Sequence, residues 1–505
     1  MSTHVPPTPD PDKPLVSRRT VIGAGISVAA VAGIGGVVFG NRNSTIPIKA
    51  TDAKIASTEL SRRSSGQTVR QTLTAARTQI DLGGQVVDTS SYSGAVHGPL
   101  IRASAGDELK IRLTNNLPST TTTTTHWHGL ALRNDMDGVP GLTMKAVPDG
   151  QTFEYSFIAP DPGTYWYHPH VGTQLDTGLY GPLIIDDPDE PGNYDVEAVL
   201  MLDDWTDGWG KKPDTILNDM KESGMGGMGE MGGMMPSASQ PLGADTGDVA
   251  YPGHLINGKL PTDPITVSAR PGQRIKLRLI NAGADTAYRF AVDGHRLTVT
   301  HTDGFAVEPV TIDALVMGMG ERYDVELTAN DGAFLMVASP EGKDDPPATA
   351  FLRTASGDAA PDPRAVAALS GRLLTYRDLQ PLEASRLPMR RVDRTLDLSL
   401  DMANGGRQWR MNGKTYADHE PLNISEGERV RIRMRNTTMM FHPMHLHGHT
   451  FALAGNGTRK DTVNVLPMST LSIDFQADNP GQWLMHCHNL YHGELGMMTV
   501  VSYVT

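Results

Sequence analysis

Near its carboxyl end the chain reads "HCHNLYHGELGM", His486 to Met497, and Cys487 is the single cysteine among 505 residues. One cysteine closes no internal disulfide, so its thiol is a small buried hydrophobe, a reactive group or a metal ligand. A thiolate, two imidazoles and a weak axial thioether form the donor set of a blue-copper site. Cys487 offers the thiolate, His492 one imidazole, His442 from an earlier cluster the other, and Met497 the thioether. Zinc also takes thiolate and imidazole, but structural zinc prefers closed tetrahedral sets and has no use for a methionine.

Ten of the 17 histidines stand in four clusters: His126 and His128; His168 and His170; His442, His445 and His447; His486, His488 and His492. The other seven are scattered, as surface or satisfied core histidines ordinarily are. On a strand, H-x-H turns both imidazoles to one face, so one pair can reach two neighbouring metals. His486 and His488 point away from the cysteine's side, which puts the Cys487 sulfur one residue from each along a short covalent route for electrons. Beyond the cysteine site eight imidazoles remain, a set that suits three coppers with positions left open for oxygen.

Such residues need strands to hold them. "AGDELKIRLTNNL" (Ala105–Leu117), "PGQRIKLRLINAG" (Pro271–Gly283) and "EGERVRIRMRNTT" (Glu426–Thr438) share a Gly turn, an apolar/basic alternation and a closing Asn. Period-two alternation is a strand with one buried face, and the copies lie a domain's length apart. A second repeat pairs "DPGTYWYHPH" (Asp161–His170) with "NPGQWLMHCH" (Asn479–His488), with "NDGAFLMVAS" (Asn330–Ser339) as the middle copy. Ligands therefore belong to the first and third units and not to the second. With 53 glycines, 35 prolines and few aromatics, the pattern predicts three β-sandwiches in tandem. Boundaries are expected at 67–187, 190–355 and 365–505. Residues 41–66 read as extended or loosely ordered.

A net charge of −13 argues against a nucleic-acid partner, which would need a basic face. Arg18–Arg19 followed by a Gly- and Ala-rich apolar run, Val21 to Phe39, resembles a bacterial twin-arginine export signal within residues 1–45. An uncleaved anchor is the alternative, although the run is about the minimum length to span a membrane.

The four histidine clusters, in order and with this spacing, resemble the copper motifs of the multicopper oxidases, the group of laccases and bacterial cuprous oxidases. "LRNDMDG", "DDWTDG" and "NTTMM" are similar to segments of the twin-arginine-exported members from actinobacteria. The resemblance implies an all-β fold of three cupredoxin-like β-sandwich domains and four coppers per chain. It implies His126 and His445 at type 2 copper. His128, His168 and His488 would hold one type 3 copper, and His170, His447 and His486 the other. His442, Cys487, His492 and Met497 would hold type 1. Substrate would be oxidised in four one-electron steps coupled to reduction of O2 to water. Asp137 sits where the family has an acid near type 2 copper; otherwise it is a turn aspartate before Gly138. Glu494 is a second candidate acid, and Gly493 stands where some relatives carry one.

"ESGMGGMGEMGGMMP" (Glu222–Pro236) places Met225, Met228, Met231, Met234 and Met235 in a Gly-rich loop of the second domain. Gly-rich sequence packs no core, and thioethers select Cu(I), so the loop reads as a copper-gathering segment that Met439 and Met440 could extend. Cu(I) is the expected substrate and copper resistance the expected role. Phenols (laccase) and Fe(II) are alternatives within the class, and a copper-storage or carrier protein is the alternative outside it.

Overall fold

The computed structural model describes residues 46–190, 192–224, 235–237, 239–355, 357 and 362–505. Its strands form six sheets, which pair into three sandwiches. The first combines two four-stranded sheets; the second and third each combine a six-stranded and a five-stranded sheet. Among the described residues no helix is long and apolar enough to cross a membrane.

The first sequence repeat forms the same element three times. Glu108–Asn116, Arg274–Asn281 and Arg429–Asn436 each run parallel to the strand that opens their sandwich and antiparallel to a later one. In the first copy Leu109, Ile111 and Leu113 are fully buried while Arg112 faces out, as the alternation requires.

The closing asparagine has a structural task in every copy. Asn115 donates to the carbonyls of Thr121 and Val147 and accepts from the Leu117 N–H. Asn281 does the same with Thr286, Met317 and Gly283, and Asn436 with Met440, Val465 and Thr438. A buried amide satisfied on both ends pins the loop that leaves the strand. In the first and third sandwiches that loop leads into a histidine strand, His126–His128 or His442–Leu446.

The second repeat is equally regular. Gly163–His168, Ala333–Pro340 and Gln482–Cys487 each lie antiparallel between an earlier and a later strand. Where the outer copies carry histidines, the middle one carries Val337, fully buried in apolar core, and Ser339, only partly buried.

One expectation fails. Within 41–66, Ala53–Leu60 is a helix. Its fixed points are tertiary: Ile55 packs into the core of the third sandwich, and Glu59, one turn on, accepts the Ile158 N–H of the first. Just before it, Ile48 donates to Tyr503 O on the last strand. The sequence there has only a weak apolar period, so docking rather than propensity sets the helix.

Candidate metal centre

Two strand pairs build the histidine cluster. His126 faces His168 across one, and His445 faces His486 across the other. The sandwiches then meet so that His126 stacks on His447 and His128 on His445, both at 3.8 Å between ring centroids. Three groups bring one ring nitrogen from each member within 4.8 Å: His126, His128 and His445; His128, His168 and His488; His170, His447 and His486. His486 and His488 thus diverge into different groups on either side of Cys487.

Most rings have one nitrogen occupied by the protein. Nδ1 of His126, His168, His445 and His486 lies 2.8–3.0 Å from the carbonyls of Asp137, Pro169, Asp461 and Cys487. His447 Nδ1 is 3.0 Å from Asp137 Oδ2, and His128 Nε2 is 3.0 Å from the Thr462 hydroxyl. The opposite nitrogens have no partner among the described residues although buried: Nε2 of His126, His168, His170 and His445, Nδ1 of His128, and both nitrogens of His488. His447 Nε2 and His486 Nε2 face each other at 3.1 Å. Each orphaned buried nitrogen costs about 1–3 kcal/mol, so such a set is stable only around something that accepts lone pairs. Burial first, and then neighbouring rings, hold His128, His168, His170, His447, His486 and His488 well below the ordinary imidazole pKa. Neutral imidazoles with fixed tautomers are the ligand form, and the donor set fits bound copper.

The cysteine centre lies in the third sandwich. Cys487 Sγ is 3.7 Å from His442 Nδ1 and 3.6 Å from His492 Nδ1, and those nitrogens are 3.2 Å apart. The histidines arrive on different elements: His442 on its strand, His492 on the helix Leu490–Glu494, whose start Asn489 caps through the N–H groups of Tyr491 and His492. Met497 is fully buried, and its carbonyl accepts the Cys487 N–H at 3.0 Å. Trp409 stacks on His492 at 3.9 Å. Burial disfavours charge on His492, yet hydrogen bonds to Asp248 and Cys487 prevail and push its pKa up to about 10. The pocket attracts positive charge, which a metal ion also carries.

Three family models described as multicopper oxidase match residues 74–190, 197–357 and 391–504. Multicopper oxidase MmcO of Mycobacterium tuberculosis is 44% identical over 501 residues, 98% of each chain. The chain belongs to the multicopper oxidase family. A copper resistance protein A homolog of Pseudomonas syringae pv. tomato is 30% identical over 85% of this chain and 91% of its own. The laccase of Botrytis aclada, a solved structure, is 26% identical, with 92% of both chains covered and a TM-score of 0.69. This oxidase is therefore a copper-dependent oxidoreductase with O2 as acceptor, and its fold is the expected series of cupredoxin-like sandwiches.

Acids surround the oxidase's histidines. Asp137, fully buried, places Oδ2 3.0 Å from His447 Nδ1 and Oδ1 3.2 Å from His126 Nδ1. Glu494 borders a cavity of about 30 Å³, which His168, His170, His486 and His488 also line, and a cleft of about 500 Å³ beyond it. Burial raises the Glu494 pKa, with Lys221 opposing.

Two acids went unread in the sequence. Asp461, fully buried, sits 3.2 Å from His128 Nε2 and 3.4 Å from His445 Nδ1. Burial works against its charge, but the Arg322 guanidinium and a hydrogen bond from His445 prevail and hold it below the usual carboxylate range. Asp248 accepts from His492 Nε2 at 2.8 Å. Neither lies near a histidine in sequence; their signal is spatial.

The methionines divide. Met235 and Met439 are exposed, whereas Met440 packs in the core and its carbonyl accepts from Asn436. Met225, Met228, Met231 and Met234 lie outside the described residues, as does the twin-arginine motif. Thr438 places its hydroxyl 2.8 Å from His442 Nε2, a neutral group at the edge of the cysteine centre.

Proposed function

We propose that this chain is a four-copper oxidase of Cu(I) that serves copper resistance. His442, Cys487, His492 and Met497 hold type 1 copper, and His126 with His445 hold type 2. His128, His168 and His488 hold one type 3 copper; His170, His447 and His486 hold the other. Bound copper would supply the one-electron chemistry that couples four substrate oxidations, with four protons, to reduction of O2 to two waters. Cys487 joins the two centres through the backbone to His486 and His488. Asp137 and Glu494 bring the protons. The same reading keeps Arg18–Arg19 and the apolar run behind them as a twin-arginine signal, with export to the envelope, periplasm or exterior.

The observation that carries the choice of substrate is Asp248 on His492. That carboxylate, with Asp245 three residues before it, sits beside His492 on the segment that follows the Met-rich stretch, whose last described methionine is Met235. Soft thioethers to gather Cu(I), then carboxylates to hold a cation beside the electron acceptor, form a sequence that a neutral phenol does not need. The copper-resistance relative points the same way. Oxygen uptake with Cu(I), Fe(II) and a substituted phenol tests it, in the parent and with the five loop methionines changed to serine. The reading expects kcat/KM for Cu(I) to fall mainly through KM while phenol oxidation holds. Equal rates on Cu(I) with and without the methionines would favour a laccase.

A further inference from the structure

The middle sandwich gives no histidine to the cluster, yet one of its turns forms a wall of it. Gly320 has φ +84° and lies so near His128 and His488 that a Cβ there would fall 2.9 Å from an atom of each ring. Two residues on, Arg322 is fully buried and its side chain touches all three sandwiches. Its Nε donates to Thr164 O of the first at 3.0 Å, and one terminal nitrogen donates to Gly320 O of its own. Both terminal nitrogens donate to Asp461 of the third, 2.6 Å to each carboxylate oxygen. One of those oxygens also faces the histidines: Oδ1 lies 3.2 Å from His128 Nε2 and 3.4 Å from His445 Nδ1. Asp303, also of the middle sandwich, accepts the N–H groups of Arg322, Asp461 and Thr462 at 2.9–3.1 Å and so fixes both ends of the pair.

We propose that Arg322 is a positioning residue for the trinuclear copper cluster: its rigid fork fixes the Asp461 carboxylate, and through it the rings of His128 and His445. The inference rests on the copper reading above. One ring comes from the first sandwich and one from the third, so the middle sandwich sets the register of two ligands it does not itself supply. A buried ion pair adds little net stability and an apolar pair of similar volume would often do as well, so cohesion alone does not require one here. Direction does. A guanidinium meets a carboxylate in one planar, two-bond geometry, which an ammonium cannot impose. Groups that orient metal ligands from behind typically change metal affinity by about 10–100-fold when removed.

The test compares Arg322→Lys, and a double variant Arg322→Met with Asp461→Leu, with the parent holoenzyme. Four readouts are needed: copper per chain, copper release to a competing chelator, the type 2 electron paramagnetic resonance spectrum, and Tm with the blue absorption as internal control. Arg322→Lys keeps the charge and loses the fork. It should keep the blue colour and a Tm near the parent's, yet release cluster copper with an affinity about tenfold weaker and an altered type 2 spectrum. The double variant removes both charges, so its Tm should hold while cluster affinity stays weak. If Arg322→Lys does not fold, Asp461→Asn measured the same way takes its place. A folded variant with parental cluster affinity and spectrum overturns the inference. Affinity and Tm that fall together in Arg322→Lys and recover together in the double variant do so too, by reducing the pair to a structural one. A parent that binds only one copper per chain overturns the cluster reading itself, and that failure shows before any variant is made.

Discussion

Two aspartates stand behind the histidine cluster on opposite sides, and the chief difference between them is one guanidinium. Asp137 spans His126 and His447; Asp461 spans His128 and His445. Each is fully buried, and each links a histidine of the first sandwich with one of the third. Asp461 is gripped by Arg322. Asp137 has no Lys or Arg partner among the described residues. A carboxylate locked to a permanent cation stays ionised and serves as a fixed strut. One whose ion-pair partners among the described residues are imidazoles alone has no fixed cation beside it, the setting that the proposed proton delivery calls for. Similar geometry is thus compatible with two tasks, the proton delivery proposed for Asp137 and the orientation proposed for Asp461.

The most damaging change should be Asp137→Asn. It keeps the shape and removes the proposed proton carrier, so O2 turnover should drop by about 10²-fold or more. Reduction of the blue centre by substrate, followed by stopped flow without O2, should survive, as should copper content. Turnover within about a factor of two of the parent returns Asp137 to a turn residue. Asp461→Asn should give the converse phenotype. Copper should bind the cluster about 10–100-fold more weakly, while copper-saturated enzyme turns over within a few-fold of the parent. If saturated Asp461→Asn were as slow as Asp137→Asn, the two acids would share one role.

Glu494 sharpens the contrast from a third direction. It shares the small cavity with four cluster histidines and the outer cleft with Lys221 and Tyr416. Burial raises its pKa and so favours the protonated form it would deliver from. With Asp137 still in place, Glu494→Gln should lower turnover less than Asp137→Asn does, by about tenfold. A solvent isotope effect on turnover should grow as this side's route closes. No change in either quantity would leave Asp137 as the sole acid.

How much of this was legible follows from what each residue needs nearby in sequence. The histidines announce themselves because H-x-H and H-C-H put several donors on one strand. Asn115, Asn281 and Asn436 were visible as a repeated letter, and their hydrogen bonds explain the repetition. Asp137 stood in a motif that a known family shares. Arg322 and Asp461 had no such signal: they are 139 residues apart, and "RKDTVNV" contains no histidine. A charge at the start of one strand, or in the bend between two others, is the only local hint, and it names no partner. The helix Ala53–Leu60 was missed for a related reason, since Ile55 and Glu59 gain their meaning from surfaces that other segments form.

The smallest expected effect lies at the edge of the cysteine centre, where the comparison of carboxylates extends to Asp245 and Asp248. Asp248 is tied to His492, whereas Asp245 has no such bond. Burial first, and then the charge of Asp248, raise the Asp245 pKa to about 6. A carboxylate with a raised pKa is ionised above that value and neutral below it, so the local negative charge is mostly present at pH 7 and mostly lost at pH 5. A cation should feel the loss and a neutral phenol should not. At separations near a protein surface one such charge contributes about 1 kcal/mol, or about fivefold in capture. KM for Cu(I) should therefore rise about fivefold as pH falls from 7 to 5, with little change in KM for the phenol. Asp245→Asn should raise the Cu(I) KM at pH 7 to the value the parent shows at pH 5, and remove most of the pH dependence. A pH dependence that survives in Asp245→Asn would move the titrating group elsewhere. Equal responses from Cu(I) and the phenol would mean that the carboxylates act on His492 rather than on the substrate's charge.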